Sequence, residues 1–207
     1  MTDETRYRVP ESRHRTEDTI ERSRFICTLA RVTSPAEAQS LIRELNAEFA
    51  DATHNCWAYV IGSPGSTSRV GMSDAGEPHG TAGRPMLTVL LHSGVGDIAA
   101  VVTRYYGGTK LGTGGLVKAY SGAVQRALAT LPVTERIDYV ELTVVLGYPS
   151  IDAVQQLLPL HEAEVLTESY GAEVSYLLRV PGAAAEALRS ALLDATRGQA
   201  RVSSNRE

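Results

Sequence analysis

The sequence predicts an α+β protein of two domains, residues 1–134 and 135–207, and three observations predict it. Short apolar runs of strand character alternate with segments at helical spacing, the pattern of mixed folds. Of 18 glycines, 14 fall between residues 62 and 122, so turns and close approaches concentrate in the first part. Charge changes at the same place: residues 1–137 carry 15 basic and 14 acidic side chains, whereas residues 138–207 carry 5 and 10. A chain of 207 residues is long enough to bury two cores.

The elements follow in order. Residues 1–19 are polar with alternating charge and read as an arm ahead of the first strand, 25–32. Ser34-Pro35-Ala36-Glu37 then has a hydroxyl N-cap, proline at the first helical position and a glutamate three residues after the cap. Ala38, Leu41, Ile42, Leu45 and Phe49 continue it at helical spacing. Residues 56–61 read as a strand, and Ser63-Pro64-Gly65-Ser66 as a turn. Residues 72–83 are rich in small side chains and read as a loop feeding a short helix that begins near Thr81. Residues 98–106 form an apolar run suited to a buried strand, 107–115 a glycine loop, and Leu116, Tyr120, Ala123, Val124, Ala127 and Leu128 a helix that Pro132 ends. Beyond residues 133–136 the order becomes strand, helix, strand, strand, helix, strand, the split β-α-β, or ferredoxin-like, arrangement.

Composition excludes several classes. No run of 18 apolar residues is present to span a bilayer. Met1-Thr2-Asp3-Glu4-Thr5-Arg6 has no apolar signal core, which predicts a cytoplasmic protein. Cys27 and Cys56 provide neither a disulfide framework nor a Cys-x-x-Cys zinc pair, and no cofactor or metal is expected. An apolar content of 43% is that of a globular protein.

Residues 98–134 contain no Asp or Glu, yet hold Arg104, Lys110, Lys118 and Arg126; Lys110 and Lys118 are the only lysines in the chain. Within this stretch lie Gly107, Gly108, Gly112, Gly114 and Gly115, just ahead of a helix. Glycines admit close backbone approach, and a helix start offers unpaired N–H groups and a positive dipole end. Arg104, Lys110, Lys118 and these glycines are therefore candidate contacts for a phosphate or nucleic-acid backbone. The alternative is a tight turn between packed elements. Neither nucleotide signature fits: Gly107 to Thr113 reads Gly-x4-Gly-Thr with the lysine inside, and Val117 stands where a dinucleotide loop needs its third glycine.

Ser73-Asp74-Ala75-Gly76-Glu77-Pro78-His79 forms a second candidate loop, in which Asp74 and Glu77 suit a hard cation or proton transfer, or else ordinary turn chemistry. Arg84, at the following helix start, suits a second anion contact or a pair with Asp74 or Glu77. Cys56 opens an apolar strand beside His54, which favours a buried thiol over a nucleophile. Trp57, Tyr105, Tyr106 and Tyr120 suit base stacking or core packing. The second domain's net −5 argues against RNA binding by that domain alone.

Five motifs in order carry a family likeness: Ser23-Arg24-Phe25-Ile26, His54-Asn55-Cys56-Trp57-Ala58-Tyr59, Ser73-Asp74-Ala75-Gly76-Glu77-Pro78, Gly80-Thr81-Ala82-Gly83-Arg84-Pro85, and Arg104-Tyr105-Tyr106-Gly107-Gly108-Thr109-Lys110-Leu111-Gly112. Together they resemble the IMPACT/YigZ family, and the C-terminal part resembles the extra domain of its bacterial branch. Ala75 and His79 depart from the family pattern, which has an acid and a small hydroxyl residue there. The resemblance implies a first domain like the second domain of a small-subunit ribosomal protein and a second like the last domain of elongation factor G. It also implies a link to translational control. The resulting expectation is a non-catalytic binding protein that contacts RNA phosphate or a ribosome-associated partner. The alternatives are an enzyme acting on a phosphorylated small molecule through Asp74 and Glu77, and an adaptor using its acidic second domain.

Overall fold

The computed structural model describes residues 6–205. The described chain divides into two compact units, residues 7–135 and 136–205, the latter joined by Arg6.

The first unit is built on a five-stranded antiparallel sheet in the order β2-β3-β6-β4-β5: β2 His14–Ile20, β3 Ser23–Arg31, β4 His54–Val60, β5 Val70–Ser73 and β6 Ile98–Tyr105. Helices α2 (Gly83–Leu91) and α3 (Gly112–Ala129) cover one face, and α1 (Pro35–Glu48) covers the other. Central strand β6 is buried on both sides because its residues alternate between the two cores. Ile98, Ala100 and Val102 pack with Met86, Leu90, Leu116, Tyr120 and Val124. Ala99 and Val101 pack with Ala38, Leu41, Ile42 and Leu45. Helix α1 begins as its sequence dictates, with Ser34 Oγ accepting the Glu37 N–H at 3.2 Å.

Three local expectations are corrected. Residues 1–5 of the anticipated polar arm lie outside the described residues, but residues 6–19 are not an arm. They form β1 (Arg6–Pro10), which buries Tyr7 and Val9, and most of edge strand β2. Arg15 and Glu17 of β2 take outward positions of a period-two strand, with Glu17 bound to Arg24 at 2.8 Å and Arg15 to Glu48 at 2.6 Å, whereas Asp18 on the other face pairs with Arg126 at 2.8 Å. The small-residue segment from residue 72 opens on strand β5 instead of a loop, and its helix starts at Gly83. The glycine loop is shorter than expected: α3 begins at Gly112, so Gly112, Gly114 and Gly115 belong to its first turn.

The second unit contains β8 (Tyr139–Leu146), α4 (Ile151–Leu157), β9 (Glu164–Tyr170), β10 (Val174–Pro181), α5 (Ala185–Ala195) and β11 (Arg201–Asn205). Its four strands lie in the order β11-β8-β10-β9. Alternate residues Leu142, Val144, Leu146, Val174, Tyr176, Leu178 and Val180 face α4 and α5, whose Val154, Leu188 and Leu192 complete the core. A short ladder pairs β1 with β7 (Val133–Ile137).

Candidate functional site

One end of the first unit's sheet gathers the chemistry. Antiparallel register sets Arg104, near the end of β6, opposite His54 of β4 and opposite Phe25 of β3. Strand alternation places Arg104 on the same face as Ile98, Ala100 and Val102, the face that α3 covers. There its guanidinium Nη1 donates to Glu77 Oε1 at 2.6 Å, and Nη2 to Ser23 Oγ at 3.3 Å. Tyr120 Oη of α3 donates to the same Glu77 oxygen at 2.8 Å. The two charged side chains are only 6% and 3% exposed. Both ions are therefore withdrawn from water and satisfied mainly by each other, a contact that ties β6, α3 and the acidic loop together.

This changes the roles expected for three residues. Arg104 is not an exposed phosphate contact, because Glu77, supplied from outside the acid-free stretch, neutralises it. Glu77 is correspondingly held as an ion-pair partner. Asp74 accepts backbone N–H bonds from Gly80 at 2.8 Å, Ala82 at 3.0 Å and Gly83 at 2.9 Å, so it serves as a distant cap for α2. Burial disfavours its charge, but the N–H donors of Gly80, Gly83 and Ala82 outweigh burial and hold the carboxyl below its ordinary range. Both Asp74 oxygens and Glu77 Oε1 are thus committed to protein donors. Cys56 is buried beside them, its thiol donating to the Asp74 carbonyl at 2.8 Å and pushed up to about 12 by burial, the opposite of an activated nucleophile.

Above the Arg104–Glu77 pair opens a concavity of about 440 Å³, lined by Thr53, His54, Pro78, Tyr106, Lys110, Leu111, Gly112 and Thr113 as well as the pair itself. Its rim is the start of α3. Residue Leu111 at the cap position offers no side-chain acceptor, and no acid lies in the first turn. The other α-helices differ. The α1 terminus has Ser34 and Glu37, α2 has Asp74, and α4 and α5 carry Asp152 and Glu186 in their first turns. Among the described residues, α3 is thus the α-helix whose N-terminal N–H groups meet neither a capping side chain nor a carboxylate. Such a terminus favours an anion.

The glycines divide by role. A Cβ on Gly107 would stand 1.9 Å from the Arg22 carbonyl oxygen, so Gly107 exists for packing. At Gly108, Gly112 and Gly114 a Cβ would meet nothing within 4 Å, leaving their backbone open to approach. A Cβ on Gly115 would come within 3.1 Å of Leu111. Lys110 is exposed on the concavity, but Lys118 lies six residues into α3, about 9 Å along its axis, and Arg84 lines a separate depression with Asp74, His79 and Gly80. Of the expected cations, Arg104 and Lys110 thus share the concavity, whereas Arg84 and Lys118 do not. One neighbour was missed: Thr53 reaches the site through strand register and chain reversal, a signal that no linear motif carries, whereas His54 and Tyr106 stood in the quoted motifs and line the same concavity. Thr53 Oγ1 accepts the Tyr106 N–H at 3.0 Å, and His54 Nδ1 donates to the Ala75 carbonyl at 2.9 Å.

Residues 21–128, which contain this site, match the Impact N-terminal domain, and residues 144–199 match a domain of unknown function, DUF1949. The IMPACT family member YigZ of Escherichia coli (strain K12) is 41% identical over 179 residues, covering 86% of this chain and 88% of that protein. The chain belongs to the IMPACT family. An IMPACT family member of Haemophilus influenzae is 38% identical over 193 residues, covering 93% of this chain and 94% of its own. Protein IMPACT-A of Xenopus tropicalis shares 36% identity over 107 residues, 50% of this chain but 33% of that longer protein. A solved structure described as a hypothetical protein covers 98% of both chains with a TM-score of 0.67 at 37% identity. The IMPACT motif around Arg104 thus corresponds to two physical parts, a buried ion pair and an open helix start.

Proposed function

We propose that this protein is a cytoplasmic, non-catalytic binding protein of translation or its regulation, and that it holds RNA phosphate at the start of α3. The observation that carries the reading is the uncapped, acid-free first turn of α3 beside exposed Lys110. N–H groups and a compact ammonium suit a phosphate oxygen, and the glycines allow a nucleic-acid backbone to approach. Family resemblance supports the link to translation. The reading takes the first unit as sharing the fold of a ribosomal protein's second domain. It takes the second as ferredoxin-like, which its βαββαβ order and sheet order support. The enzyme alternative draws less support, because Asp74 and Glu77 already have partners.

Binding of a ribosomal RNA fragment at several salt concentrations tests the reading. Lys110→Ala should weaken binding about tenfold, the worth of one charge-assisted hydrogen bond. It should also reduce the slope of log affinity against log salt by about 0.7 to 0.9. Lys118→Ala, outside the concavity, should have the smaller effect on both. Unchanged binding by a folded Lys110→Ala protein would contradict the reading.

A further inference from the structure

We infer that the concavity takes a single nucleotide unit, with its phosphate on the first turn of α3 and Lys110 and its base against Tyr106, Pro78 and Leu111. This rests on the phosphate-binding reading above and adds what the phosphate must be attached to. A phosphodiester passing over a surface needs cations and donors alone, whereas this site is an open concavity with a side-chain floor. Its volume of about 440 Å³ falls in the range that encloses small ligands. Much of its wall is apolar, with Pro78, Leu111, Leu116 and the ring of Tyr106 facing the same space.

Two features point to a polar guest with a flat ring. Arg104 is 5% exposed and lines the hollow, yet its Nε has no hydrogen-bond partner. Such a buried donor is costly to leave unmatched. Tyr106 is 46% exposed, and the Arg104 guanidinium lies 5.5 Å from its ring centre, which steadies the ring without covering it. A base stacks on such a ring whatever its identity. His54 adds a specific contact: its Nδ1 is committed to the Ala75 carbonyl, so Nε2 is the ring nitrogen left for a base edge or a ribose hydroxyl.

The test is calorimetric titration of the full chain with adenosine 5′-monophosphate, adenosine and inorganic phosphate, followed by competition with a single-stranded RNA hexamer. The nucleotide should bind about tenfold more tightly than phosphate, the effect of one stacked base. Tyr106→Ala should remove that advantage and leave phosphate binding unchanged, Tyr106→Phe should keep it, and Lys110→Ala should weaken both ligands. The hexamer should displace the nucleotide, and failure to do so would overturn RNA as the source of the unit. Nucleotide binding no tighter than phosphate, or an advantage that survives Tyr106→Ala, would overturn the inference itself. RNA association that depends on Lys110 without any preference for nucleotide would sink this inference and leave the phosphate reading standing.

Discussion

Asp74 organises the acidic loop through its two oxygens, which together accept three backbone N–H groups at the start of α2. Asp74→Asn keeps one acceptor oxygen and turns an amide towards the donors, so it should cost about 1–2 kcal/mol at neutral pH. Because folding lowers this carboxyl below its ordinary 3.8, the unfolded chain takes up the proton first as pH falls. The stabilisation is therefore complete well above 3.8 and lost as pH drops through the lower folded value. Thermal melts from about pH 7 to 3 should show the gap between wild type and Asp74→Asn closing at the acid end. A gap that does not change with pH would contradict the role given to the charge. A turn at Asp74 was legible because Asp74, Gly76 and Pro78 alternate there, and the Glu77 N–H closes it on the Asp74 carbonyl at 3.0 Å, but the reach of the Asp74 side chain to the start of α2 was not. The burial of Arg104 was not, since its partner Glu77 lies 27 residues away and outside the acid-free stretch.

Elements with local punctuation were legible and those defined by partners were not. Helix α1 begins at the Ser34 and Pro35 signals, and β6 reads as a buried strand because every second residue on either side is apolar. Strand β2 is polar throughout except Ile20, and only its pairing with β3 makes it a strand. The hairpin between them carries strain. Ile20 pairs with Ser23, so Glu21 and Arg22 form a two-residue turn, with φ of 45° and 68°. Left-handed backbone at both positions is the geometry that Asn-Gly favours and that L side chains resist. Replacing Glu21-Arg22 with Asn-Gly should raise stability by about 1–2 kcal/mol, read as a higher midpoint in urea at unchanged slope. A lower midpoint would show that the Arg22 side chain holds the turn. The same turn braces the site, since the Arg22 carbonyl packs against Gly107 at the start of the loop.

Over the whole molecule, two α+β units share one chain, and the charge division at their boundary was visible in composition alone. The location of the site was visible only in part. The acid-free stretch marked the right segment, but it grouped Lys110 with Arg84 and Lys118, which the fold places elsewhere. Of all the helix starts and cations in this chain, we propose that an anion chooses the first turn of α3. Four other α-helices and 18 arginines offer competing places. Titration of the 15N-labelled protein with inorganic phosphate, followed through backbone amide resonances, compares them all at once. The largest shifts should fall at Gly112, Thr113 and Gly114 and be abolished by Lys110→Glu. Larger shifts at α2 near Arg84, or shifts spread evenly over the arginines, would contradict this proposal.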